Sequence, residues 1–327
     1  MTVTVDKIIM NIRPFDWRDL PVIRRYRHEC LFLDSTLVLT HGPTLDWART
    51  LFASMAPAKG VFTYLAVEDG NTGQPVLGQA TFLPGASSAR LACLAPRNAL
   101  EATGIGPLMD YLITDLGERG AFHVLAEADE CEQACEALHA MGFAIYARQR
   151  IWQLSGEPSG PATATPWRFC TGQDGINIKS LYCNLTPGLV QQMEPVPAHQ
   201  PRRMVYYEGQ DLLAYVELKW GPTGIWAQPF IHPNVEDVPA RLAYLLKNLP
   251  DRRQRPVYIC VRSYQAWLEA SVEALGAQPG PRQAVMFKRL ALSRRVVQPA
   301  ALPVLEGKQA EPTVPIAQVK RLWFLRK

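Results

Sequence analysis

The chain has 327 residues, so a prior of about 150 residues per domain gives two domains. Its 34 Lys and Arg against 30 Asp and Glu leave a net charge of +4, with 48% hydrophobic and 20% charged residues. That composition excludes a disordered chain and a polybasic nucleic-acid binder. Seven cysteines is an odd count, the N-terminal MTVTVDKIIMNIRPF lacks the charge and apolar pattern of a secretion signal, and no run approaches 18 apolar residues. The expectation is a reduced, cytoplasmic protein with no membrane and no nucleic-acid partner.

Proline, 27 residues in all, marks where regular structure stops. The stretch SGEPSGPATATP near mid-chain has small residues and no apolar period, and reads as a linker. A second cluster, Pro187 to Pro201, lies inside the second half, and a third, Pro299 to Pro315, opens a tail that belongs to neither core. The expected division is 1–154, a linker at 155–166, a second domain at 167–292 and a Pro-rich tail at 293–327.

In chain order, Asp69-Gly70-Asn71 predicts a turn between strands, and Gly73-Gln74-Pro75-Val76-Leu77 opens the next strand. Ile105, Leu108, Met109, Leu112, Ile113 and Leu116 recur at helical spacing, and AFHVLAEA at 121–128 reads as a buried strand. A second helix carries Cys131, Ala134, Cys135, Leu138 and Met141 on one face, stops at Gly142, and runs into the strand FAIYARQRIWQL. The second half repeats this order. Val238, Leu242, Leu245, Leu246 and Leu249 form a helical stripe, RPVYICV a strand, Trp267, Leu268, Val272 and Leu275 a helix stopped by Gly276, and RQAVMFKRLAL a last strand. Gly276 follows Gly142 by 134 residues, and Arg282-Gln283 follows Arg148-Gln149 by the same interval. Upstream, Gly209-Gln210-Asp211-Leu212-Leu213 matches Gly73 to Leu77, and Ile231-His232-Pro233 matches Leu94-Ala95-Pro96, with a drift of two or three residues.

Thr103-Gly104-Ile105-Gly106 opens a helix directly after a strand ending Leu94-Ala95-Pro96. Helix N-termini present unpaired N–H groups, so glycines there let the backbone close on an oxyanion, or simply let the helix pack close to the sheet. With the closing Met141-Gly142-Phe143, these residues resemble the GCN5-related N-acetyltransferase (GNAT) family over residues 10–154, and through the repeat over about 167–292. The resemblance implies an α/β (α+β layered) fold of two tandem GNAT-like domains, the second degenerate, each a mixed, mostly antiparallel sheet flanked by helices.

It further implies acyl transfer from acetyl-CoA or another acyl-CoA to a small-molecule or protein amine. The amides from Thr103 through Gly104, Ile105 and Gly106 would cradle the pyrophosphate, and the backbone of Cys93, Leu94 and Ala95 would pair with the pantetheine arm like an added strand. Arg97 would supply a cation, because Glu101 stands where the family usually has Gln or Arg. The second half offers Asp237-Val238-Pro239-Ala240 at the equivalent place and is expected not to bind coenzyme A. Leu138 and Val272 occupy the position of the family's tyrosine acid, leaving Glu127, Asp129 and His139 as candidate proton-transfer groups. No metal site is expected. Cys131 and Cys135 lack ligand partners at zinc spacing and read as small core residues. The aromatic set from Trp220 to Trp267 is expected to face the first half or a second copy of the chain, a homodimer being one such arrangement. A non-catalytic sensor or scaffold that binds acyl-CoA without turnover is the alternative.

Overall fold

Alternating apolar residues on Tyr64, Leu65 and Ala66 send side chains to opposite faces of a strand, and both faces are buried, so this sheet carries helices on each side. The computed structural model describes residues 10–43, 60–68, 74–83, 85–102, 104–196 and 202–290. The turn at Asp69 to Asn71 and the Pro-rich tail lie outside the described residues. No described helix is long and apolar enough to cross a membrane.

The first half contributes β1 (Met10–Pro14), α1 (Leu20–Arg25), β2 (Leu31–Phe32), α2 (Ser35–His41), β3 (Val61–Glu68), β4 (Val76–Thr81), β5 (Ser88–Ala95), α3 (Ile105–Glu118), β6 (His123–Asp129), α4 (Gln133–Ala140) and β7 (Ala144–Leu154). The second contributes β8 (Arg168–Phe169), α5 (Gly175–Leu185), α6 (Gly188–Met193), β9 (Arg203–Glu208), β10 (Asp211–Trp220), β11 (Ile225–Ile231), α7 (Val238–Lys247), β12 (Val257–Arg262), α8 (Leu268–Ala274) and β13 (Gln278–Arg289). The apolar periods at 105–116 and 238–249 are the buried faces of α3 and α7. Gly142 and Gly276 take the left-handed conformation just past α4 and α8, where a side chain would be strained.

The strands form one continuous sheet in the order β1-β3-β4-β5-β6-β13-β7-β12-β11-β10-β9-β8, with β2 beside β5. The last strand of each half therefore sits in the other half's territory. β13 pairs antiparallel with β6, and β7 pairs antiparallel with β12. Between them, Gln149 pairs with Gln283, flanked by Arg148 with Ala284 and Arg150 with Arg282. Residues 134 apart in sequence thus meet across a pseudo-two-fold axis, where the Gln149 amide donates to Gln283 Oε1 at 2.9 Å.

The cores follow the exchange. Ala284 and Met286 of β13 fill the core beneath α3 and α4, whereas Trp152 and Leu154 of β7 fill the core beneath α7 and α8. A second repeat signature lies upstream. Arg13 forms a two-pronged ion pair with Asp19 (2.6 and 2.7 Å), and Arg168 does the same with Asp174 (2.8 and 2.7 Å). In both places the aspartate also accepts a backbone N–H three residues before it, closing the turn that opens the first helix of the half.

Candidate functional site

β5 and β6 are parallel neighbours only at Ser88–His123, Ala89–Val124 and Arg90–Leu125, after which they diverge. Divergence leaves the inner edge of β5 and the amides of β6 in need of partners. The segment Leu31 to Ser35 enters this splay and supplies them. Leu31 pairs with Leu94 and Phe32 with Cys93. Leu33 N–H donates to Ala92 O at 2.9 Å, its carbonyl accepts from Glu127 N–H at 2.8 Å, and Ser35 N–H donates to the Glu127 carboxylate at 3.0 Å. Asp34 then caps α2 through Leu37 N–H at 3.0 Å, which fixes where this strap turns into helix.

In this structure the edge of β5 expected to pair with a pantetheine arm is occupied. Cys93 and Leu94 lie between β4 on one side and the strap on the other, so the strap stands where a pantetheine arm would pair. Ala95 pairs with Leu77 of β4 and is fully buried. The reason is local: a two-residue extended segment between α1 and α2 satisfies the same donors and acceptors that an added strand would.

At the open end of the splay lies a cleft of about 230 Å³. Its walls include Cys30 to Leu33 of the strap, Arg97 after β5, Glu127 and Asp129 of β6, and Glu132 ahead of α4. Glu127 is nearly fully buried and both its oxygens are engaged, one by Ser35 N–H and the other by Arg90 Nη1 at 3.2 Å. Asp129 accepts from Gln283 Nε2 at 2.9 Å through one oxygen, so β13, a strand of the second half, reaches into the cleft of the first. His139 sits near the end of α4 with Nδ1 3.0 Å from Phe143 O and is not among the cleft's lining residues.

The glycine pair divides. A Cβ on Gly104 would collide with the Met10 side chain and touch Ala66 and Val76, so this glycine serves the close approach of α3 to the sheet. Gly106 faces open space and its approach to a ligand is unobstructed. Ile105 is buried in the core, Glu101 is exposed, and Thr103 lies outside the described residues. Leu138 and Val272 are fully buried and cannot donate a proton. Cys135 is half-buried against the core, but Cys131 is exposed, not a core residue as its helical phase implied, because it precedes the first turn of α4. In the second half, the N-terminus of α7 holds Pro239, and Thr163 lies beside it, donating to Asp237 (3.1 Å) and to Ala240 O (3.3 Å).

Beside the cleft runs a charged network that sequence reasoning missed. Glu194, from the segment after α6, accepts from Arg262 Nη2 at 2.9 Å with each oxygen, from Arg90 at 3.5 Å, and from the Tyr146 hydroxyl. Burial alone would raise the Glu194 pKa, but the Arg262 and Arg90 guanidiniums outweigh it and hold it below the usual carboxylate value. Arg262 Nε and Nη1 are buried with no hydrogen-bond partner among the described residues. No spacing signal betrays this network, since its members come from four separate segments.

No family model matches the chain, and no curated protein does. Solved structures do. A GCN5-related N-acetyltransferase from Sphaerobacter thermophilus is 12% identical with a TM-score of 0.54, covering 86% of this chain and 95% of that one. A tandem GNAT protein from the clavulanic acid biosynthesis pathway, in a structure without acetyl-CoA, is 15% identical with a TM-score of 0.51, covering 86% of this chain and 98% of that one. The chain therefore has the GNAT fold in tandem, as its repeat implied.

Proposed function

We propose that the protein is an N-acyltransferase that moves an acyl group from acetyl-CoA or another acyl-CoA to a small-molecule or protein amine. The observation that carries this reading is the cleft at the open end of the first splay, where two β6 carboxylates, Arg97 and the strap converge. The acyl-CoA supplies the thioester electrophile. Asp129, held through one oxygen by Gln283, keeps its other oxygen to take a proton from the incoming ammonium. Glu127 positions the strap, since both its oxygens are already bonded. Arg97 is exposed at the rim and complements a phosphate there. The Leu31–Leu33 strap and a pantetheine arm compete for the same backbone groups of β5, so the reading requires the strap to yield.

Isothermal calorimetry with acetyl-CoA should give about one site per chain, because the α7 N-terminus begins at an acidic N-cap, Asp237, and loses a donor at Pro239. Thiol release from acetyl-CoA across a panel of amines should fall by about 10²-fold or more in Asp129→Asn, with binding unchanged. A second reading, a sensor or scaffold without turnover, is favoured by the strap in the splay and the buried Leu138. Binding without amine-dependent thiol release from any amine would select it, and absence of binding would leave only the scaffold.

A further inference from the structure

Two cysteines meet at the base of the strap. Opposed residues in an antiparallel pair share a face, so the pairing of Phe32 with Cys93 puts Cys30, two residues earlier, on the same face as Cys93. Both thiols are buried in one apolar cluster with Phe15, Ile23 and Tyr26. Each thiol is the other's strongest electrostatic neighbour, and Cys30 Sγ donates to Tyr26 O at 3.0 Å. Cys30 also lines the cleft, so a small oxidant reaches it from there, while Cys93 lies behind it.

We propose that Cys30 and Cys93 are a peroxide-oxidisable dithiol whose disulfide staples the strap to β5 and so closes the splay. In the first step the Cys30 thiolate attacks one oxygen of hydrogen peroxide. The O–O bond breaks, hydroxide leaves and takes up a proton as water, and Cys30 becomes a sulfenic acid. In the second, the Cys93 thiol loses its proton and attacks the Cys30 sulfur, the S–O bond breaks and a second water leaves. Two thiols are oxidised by two electrons and one peroxide is reduced to two waters. An external dithiol reverses the bond by exchange.

The two thiols suit these roles. The hydrogen bond from Cys93 outweighs burial and holds the Cys30 thiol below the ordinary value, favouring it as the attacking group, whereas the same bond and burial hold Cys93 well above. Elsewhere, Cys131 and Cys183 are exposed, and Cys260 is buried with the Gln149 amide oxygen 3.4 Å away. The disulfide stands on this geometry alone, while its effect on acyl-CoA rests on the function proposed above.

The test uses the full-length protein treated with hydrogen peroxide, denatured in iodoacetamide without reductant, digested and analysed by mass spectrometry. The expected result is a linked peptide pair joining Cys30 to Cys93, about two mass units lighter than the two free-thiol peptides together and lost on treatment with dithiothreitol. Full alkylation of both cysteines after oxidation overturns the proposal. Because this readout needs no variant, misfolding of Cys30→Ser or Cys93→Ser does not compromise it. Acetyl-CoA calorimetry on the same samples should show at least about tenfold weaker binding when oxidised, restored by dithiothreitol. Equal binding in both redox states overturns the closure. If neither state binds while the link forms, the acyl-CoA reading fails and the dithiol assignment stands.

Discussion

Two glycines at one helix start have different work, and substitution separates them. Where a Cβ on Gly104 would stand lies the end of the flexible Met10 side chain, with Ala66 and Val76 at ordinary contact distance. Gly104→Ala should therefore destabilise the fold by up to about 1 kcal/mol, the low end of overpacking, as the methionine is displaced. Gly106 has no described residue within 4 Å of its added Cβ and lies in the first turn of α3. Gly106→Ala should leave stability unchanged or raise it by up to about 1 kcal/mol through helix propensity. Urea unfolding of both variants reads the difference, and equal effects would mean that Met10 does not pack on Gly104. The same pair bears on function, because the proposed phosphate cradle needs the open face of Gly106. Glu101 is exposed beside it, so Glu101→Gln should tighten acetyl-CoA binding, more so at low salt, by removing a like charge that screening otherwise hides.

At the scale of elements, the Glu194 network ties the segment after α6 to β5, β7 and β12. Its pH dependence follows from the sign of the shift. A carboxyl held below its unfolded value contributes stability that is present above about pH 4.3 and is lost as pH falls through the folded pKa. Asp174, held down by Arg168 and by the Thr171 N–H, and Asp19, where Arg13 outweighs burial, add to the same acid limb. Unfolding free energy should thus drop below pH 4, and Glu194→Gln should flatten that drop while costing stability at pH 7, since it leaves Arg262 and Arg90 short of a counter-charge. An unaltered pH profile in the variant would sink this account. These residues also mark what sequence could reveal. The helices, the glycine stops and the strands of both halves were legible because each depends on local periodicity and on 134-residue self-similarity. The strap was not, because Leu31–Phe32 is too short for a period and takes its shape from the diverging edges of β5 and β6. The repeated Arg and Asp six residues apart, at Arg13–Asp19 and Arg168–Asp174, was visible in principle and marks the same point in each half. The aromatic set was read partly right. Trp226 and Tyr258 pack with Leu39 and Ile151 of the first half, and Tyr264 with Tyr146, whereas Phe230 stacks inside its own half on Tyr215.

For the whole molecule, the exchange of β7 and β13 decides whether the halves are separable. A fragment of residues 1–155 keeps β7 but loses β13, so β6 has an open edge where β13 paired, and the core under α3 and α4 loses Ala284 and Met286. A fragment of 165–295 keeps β13 but loses β7, exposing the edge of β12 and removing Trp152 and Leu154 from the other core. Open apolar edges recruit other strands, so each fragment should be poorly soluble or self-associate, and burying a Trp and a Leu accounts for about 3–6 kcal/mol that the second would lack. Each fragment retains its own terminal strand, however, and the pseudo-symmetry about Gln149 and Gln283 lets that strand fold back beside its own half in the place its counterpart holds in the intact chain. Mixing therefore has a definite signature. The two fragments, co-expressed or refolded together, should form a one-to-one complex by sedimentation, with a cooperative melt near that of the intact chain. Separately they should melt at markedly lower temperature or without cooperativity. Were both to behave as stable monomers that ignore one another, with intact cooperative melts, the folded-back pairing would be as good as the exchanged one. The participation of Gln283 in the cleft of the first half would then be dispensable.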